Sequence, residues 1–159
     1  MSSGEVTFTV KGTPVAKGRP RSFTFADKTG KTRIGHHTPK KTVTYEGLVH
    51  ATAVQAMGAR EPFTGPVQMI VRMAFLPSES WPKWKKQLVV SNMVMPTGKP
   101  DIDNVVKAVK DAIKGVVYMD DSQVVRAGLI KEYGPYAEIN VKVKQLDAHP
   151  CRIKRRPEH

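Results

Sequence analysis

The chain has 159 residues, 40% of them apolar, enough for one domain with a single buried core. Its 26 Lys+Arg against 14 Asp+Glu give a net charge of +12, which points to a polyanionic partner, either nucleic acid or an anionic membrane surface. No apolar run approaches the roughly 20 residues of a membrane span, and the single cysteine, Cys151, excludes an internal disulfide framework or a thiolate zinc site.

In chain order, Glu5 to Val10 alternates Val6, Phe8 and Val10 with polar residues, the period of a half-buried strand. The opening MSSGEVTFTV lacks a basic start followed by an apolar core, so no secretory signal is expected and the location expected is the cytoplasm. From Lys11 to Lys41 nine basic residues face one acid, Asp27, and the alternation of Phe23 and Phe25 predicts a hairpin turning at DKTGK. Thr42 to Met57 reads as a helix, with Val43, Leu48, Ala51, Val54 and Ala56 among its apolar residues. Gly65-Pro66 introduces a buried strand over Val67 to Leu76. A short helix is predicted over Ser80 to Val90, opened by a Ser80 cap. Trp81 and Trp84 within it suit core or edge packing better than base stacking. Ser91 to Pro100 is a loop, and a second helix follows from about Asn104 to Lys114, closed by Gly115. Strands over Val124 to Lys131 and Tyr136 to Val143 complete the fold. From His149 onward the chain is basic and expected to be disordered. The expected architecture is α/β of the α+β type, a small mixed β-sheet packed with two main helices. It forms a single domain over 1–147 with a basic tail over 148–159.

Against this basic background the window Asp101 to Asp121 holds five acids and three lysines, a net of −2 that leaves +14 on the rest of the chain. Carboxylates concentrated in a basic body suit an enzyme that holds divalent cations against a polyanion, because bare carboxylates repel phosphate. Pro100 favours an extended backbone before it, so Asp101 and Asp103 are expected to project to the same side of a loop. Val105, Val106, Val109, Ala112, Ile113 and Val116 form the buried stripe of the helix, with Lys107 one turn beyond Asp103. After Gly115 the chain returns through VVYM to Asp120 and Asp121 at the mouth of the next strand. Three or four carboxylates are thus expected at one end of the sheet, with Glu46 as a further candidate. Oxygen ligands of this kind suit Mg²⁺ or Mn²⁺, and Lys107 would offset developing charge or orient water. The structural alternative gives Asp103 or Asn104 a capping role and Asp120-Asp121 a turn. A calcium loop is a poor fit, since Ala112 falls where an EF-hand needs its bidentate Glu.

Lys17, Arg19 and Arg21 alternate in KGRPR, so an extended backbone would give them one face, suited to a phosphate track. Lys40 and Lys41 open the first helix, where cations oppose the dipole, which favours a ligand-facing role. Lys83, Lys85 and Lys86 are the other basic run. The five histidines show no metal-ligand spacing.

KPDIDNVVKAVKDAIKG followed by DDSQVV closely resembles the RusA family of Holliday-junction resolvases, many of them encoded by phages and prophages. VKGTPVAKGRPR and SESWPKWKK are similar to further segments of that family. The resemblance implies a small α/β homodimer that cuts four-way DNA junctions with Mg²⁺ or Mn²⁺ in a bacterial or phage-infected cell. It implies Asp101, Asp103 and Asp121 as metal ligands and Lys107 as the essential lysine. Asp120 stands beside the third ligand, and Asn104 supports the ligands from behind. Competing functions are a non-catalytic nucleic-acid binder, or another metal-dependent phosphoryl-transfer enzyme. The second has against it the lack of a Walker-type glycine loop and of a DxDGT motif.

Overall fold

A computed structural model describes residues 4–147. The expected basic tail, 148–159, lies outside the described residues. The chain forms β1 (Glu5–Lys11), β2 (Arg21–Ala26), β3 (Thr32–His37), α1 (Lys40–Met57), β4 (Val67–Phe75), α2 (Lys83–Val90), α3 (Ile102–Ile113), β5 (Val124–Tyr133) and β6 (Glu138–Gln145), with one 3₁₀ turn over Asp121–Gln123. This is the α+β architecture that the sequence predicts.

The main sheet runs β1-β6-β4-β5, with β6 antiparallel to both β1 and β4, and β4 parallel to the edge strand β5. Period-2 alternation places Val6, Val143 and Met69 in one row across it, and Phe8, Val141 and Val71 in the next. All six are buried, whereas Thr7, Lys142 and Arg72 face the other side, so the sheet is dry on one face and wet on the other. The Val71 row ends on Leu129 of β5, which stays 37% exposed because the helices cover that edge incompletely. β2 and β3 pair as a separate two-stranded ribbon.

Both long helices pack into the dry face, α1 against β1 and α3. On α3 the buried positions are Val105, Val106, Ala108, Val109, Ala112 and Ile113, with Val116 partly buried, which matches the predicted stripe apart from Ala108. On α1 the buried stripe is Thr42, Tyr45, Val49, Ala53 and Met57, while Val43, Leu48 and Val54 are exposed. That helix is apolar on more than one side, and periodicity does not choose between its faces.

All three helix starts depart from expectation, and β5 and β6 each end two residues later than expected. α2 begins at Lys83 rather than at a Ser80 cap, because Pro82 disfavours helical backbone at Trp81. α1 begins two residues earlier, at Lys40, directly after Pro39. α3 begins at Ile102, so Asp101 is its extended N-cap residue and Asp103 already lies in the first helical turn. The shared loop face expected for Asp101 and Asp103 is therefore absent, because strand alternation does not extend into a helix.

Candidate active site

Where β5 emerges from beneath α3 there is a cavity of about 360 Å³, lined by Asp103, Val106, Lys107, Lys110, Asp111, Asp121 and Leu129. Asp103, Lys107 and Lys110 come from successive turns of α3, since residues three or four apart share a helix face. Asp121 arrives from the opposite wall, at the head of the 3₁₀ turn that leads into β5. Two predicted ligands and the predicted lysine thus share one cavity. A larger apolar cavity of about 460 Å³ lies between the end of β1 and the start of α1, with Lys11, Lys40 and Lys41 among its lining residues. It has no acid in its lining, so it offers no carboxylate to a divalent cation.

Asp121 is fixed from below. The Tyr118 hydroxyl, on a ring with no exposed surface, donates to Asp121 Oδ1 at 3.0 Å. Burial, reinforced by the Asp121 charge, pushes the phenol well above its ordinary value, so it remains a proton donor. The turn is held by Gln123, whose side-chain oxygen accepts from the backbone N–H of Met119 and Asp120. Its amide donates to the carbonyls of Phe63 and Gly65 at 2.7 and 2.9 Å. Asp120 completes this capping box by accepting from the Ser122 N–H at 2.9 Å. That bond, with Lys114 3.5 Å away, holds its carboxyl at about 2. Asp120 therefore points into the turn and does not line the cavity, as the structural alternative anticipates.

Asp101 also lies outside the cavity lining. Its carboxylate takes bonds of 2.9 and 2.8 Å from Lys99, which lower its pKa. Lys131 of β5 donates to the carbonyls of Gly98 and Pro100 and so ties the loop before α3 to the sheet edge. Asn104 contributes through its backbone, where its carbonyl accepts the Lys17 N–H at 2.9 Å.

Lys17 departs furthest from expectation. Its ammonium is 2.7 Å from both Glu46 of α1 and Asp111 of α3, and its side chain is only 25% exposed. Burial alone would lower its pKa, but bonds to the two carboxylates outweigh that and raise it. It joins α1 to α3 and neutralises Asp111, and it is not a free phosphate contact. Glu46 is held in the same bridge and is not a lining residue. Arg19, Arg21, Lys40 and Lys41 are exposed. Trp81 meets Tyr133 edge-on with ring centroids 5.3 Å apart, which is the edge packing expected, whereas Trp84 is exposed.

Sequence reasoning did not single out Tyr118, Gln123 or Asp111 as site groups. The available signal was Tyr118 three residues before an acid in an otherwise apolar run, and Gln123 three residues after Asp120 in a capping spacing. Among the described residues no three acidic or histidine side chains stand close enough to share one ion. Mg²⁺ commonly takes only one or two carboxylates and fills its shell with water and phosphate oxygens. Asp103 and Asp121 on one cavity, with Asp111 already neutralised, fit that donor set.

An acid-lined cavity with lysines, set at the edge of a mixed sheet in a basic α+β protein, is a donor set suited to phosphate chemistry. The chain belongs to the RusA endodeoxyribonuclease family, whose model matches residues 11–144. It is also similar to the uncharacterized protein YqaN of Bacillus subtilis (strain 168), with 37% identity over 146 residues, 90% of this chain and 98% of that protein. The family implies nuclease activity on Holliday junctions, hence branched DNA as substrate, and its resolvases are generally dependent on divalent metal.

Proposed function

We propose that this protein is a Mg²⁺-dependent endonuclease that resolves four-way DNA junctions by paired incisions, with Mn²⁺ able to substitute. The observation that carries the reading is the meeting of Asp103, Lys107 and Asp121 in one cavity from two separate elements. Asp103 and Asp121 would hold the ion. Asp101 would join them only by giving up its contact with Lys99, an exposed pair of the kind that contributes little to stability. Held there, the ion would supply an activated water and offset charge on the phosphodiester. Tyr118 keeps Asp121 in one orientation, and Asp120 with Gln123 keeps the turn that carries it. Lys107 donates to a phosphate oxygen as charge develops, an interaction stronger in the transition state than in the ground state. Water adds across one P–O bond, which breaks to leave a phosphate monoester and a hydroxyl.

Arg19, Arg21, Lys40 and Lys41 supply contacts to DNA phosphates, and Asn104 supports the ligands through its hold on the Lys17 segment. A junction is nearly two-fold symmetric, so a homodimer with one site per subunit matches paired cuts. We place the protein in the cytoplasm of a bacterial or phage-infected bacterial cell, with residues 1–147 as the working domain. The test is incubation with a synthetic mobile four-way junction, with and without Mg²⁺, scored for nicks on opposing strands. Symmetric nicks that vanish with EDTA support the reading. Junction binding with no nicking in Mg²⁺ or Mn²⁺ would favour a non-catalytic binder.

A further inference from the structure

Among the described residues the β2–β3 ribbon makes no extensive contact with another strand or helix. Every residue of β2 is exposed, and in β3 only Gly35 is partly covered. Isolated two-stranded ribbons are marginal in water, so a ribbon kept in this state gains from what it binds. Antiparallel register puts Arg21, Phe23 and Phe25 on the same face as their partners His37, Gly35 and Arg33. On that face the two phenyl rings stand side by side, centroids 5.9 Å apart and about half exposed. Phe23 leans onto Gly35, where an added Cβ would come within 2.5 Å of the ring and oblige it to shift.

The ribbon is fixed at both ends. At its tip the Asp27 carboxylate accepts from the Thr29 and Lys31 N–H groups and from Arg33 Nε. At its root the Gly18 N–H donates to Thr42 Oγ1 at 2.9 Å, and Lys17, four residues before β2, touches Asp111 in the acid cavity. Phe23 stands six residues along the chain from Lys17, so the segment that carries the aromatic face has its root at the cavity wall.

We propose that the Phe23/Phe25 face of this ribbon stacks on nucleobases unpaired at the branch point of the DNA, and so selects branched over linear duplex. The proposal rests on the nuclease reading and deepens it. Branch points expose base faces that duplex hides, and flat aromatic rings flanked by cations are what such bases and their phosphates recognise. A second copy of this chain is the poorer occupant, because Asp27 is the only acid between Lys11 and Lys41, so two copies of the segment repel.

The experiment compares the full chain with F23L/F25L, which keeps apolar bulk and removes the π faces. Both are titrated against a four-way junction and a linear duplex, each carrying 2-aminopurine, at the branch or centrally. The wild type should change 2-aminopurine fluorescence at the branch only. F23L/F25L should lose that change and bind the junction about tenfold or more weakly, with duplex affinity within about twofold of wild type. Phe25→Trp should retain the signal. Equal losses on junction and duplex, or unchanged junction selectivity, would overturn the proposal. So would a shift in oligomeric state for F23L/F25L by sedimentation, which would make the face an interface between copies. A wild type that cuts junctions in Mg²⁺ but meets any of these results leaves the nuclease reading standing. A wild type with no preference for junctions sinks both.

Discussion

The Tyr118 hydroxyl donates to Asp121 Oδ1 from a ring that is completely buried, so the proposed catalytic carboxylate is oriented by the core of the protein. The bond links packing to chemistry, because the ring cannot move without opening the core that Val117 and Ile113 share with it. Tyr118→Phe keeps the ring and removes only the donor. The cost to stability should be about 1 kcal/mol, the net worth of one hydrogen bond. The cleavage rate on saturating junction should fall about tenfold with affinity unchanged, the pattern of a positioning residue. Thermal melts and single-turnover rates check it, and a loss of stability alone would reduce Tyr118 to a core residue.

The basic residues around β2 divide into two roles. Arg19 and Arg21 are exposed, so R19A/R21A should flatten the salt dependence of log K by up to about two phosphates' worth of slope. Lys17→Ala should leave the slope unchanged and instead destabilise the fold by about 1–3 kcal/mol, since it strips Glu46 and Asp111 of their shared cation. A salt titration beside a urea melt separates the two.

Asp120 predicts a pH signature. Its folded carboxyl titrates at about 2 against an ordinary 3.8, so its contribution is present above about pH 4 and is lost as pH falls toward 2. Asp120→Ala should melt below wild type at neutral pH, and the gap should close as pH drops below about 4. A gap that does not change with pH would mean that the ionised cap contributes nothing.

Much of the fold was legible because the dry sheet face follows strict period-2 alternation and the α3 stripe follows helical spacing. Both patterns record burial directly. The face of α1 was not, since Val43 and Leu48 compete with Tyr45 and Val49 and only tertiary packing chooses between them. At the site, Asp103, Lys107 and Asp121 come together as the motif spacing predicts, because one helix and one turn carry all three. The roles of Asp101 and Asp120 depend on Lys99, Lys114 and Ser122, local partners that spacing does not rank. The fate of Lys17 depends on Glu46 and Asp111, which are 29 and 94 residues away and reach it only in the fold.

Lys107 lines the cavity beside Asp103 without contributing to the core, so Lys107→Ala should fold normally. Its cleavage rate should fall far more than its affinity for junction, as expected of a group acting in the transition state. Equal losses in rate and affinity would make it a phosphate-binding residue only.

The central claim is that Asp103 and Asp121 hold the ion that cuts the junction, and the direct measurement is strand cleavage beside junction binding for Asp103→Asn and Asp121→Asn. Both substitutions keep size and remove charge. In Mg²⁺ each should abolish nicking while junction affinity persists or rises, since less negative charge then faces the phosphates. Near wild-type cleavage by either variant, with its fold intact by circular dichroism, would contradict the account.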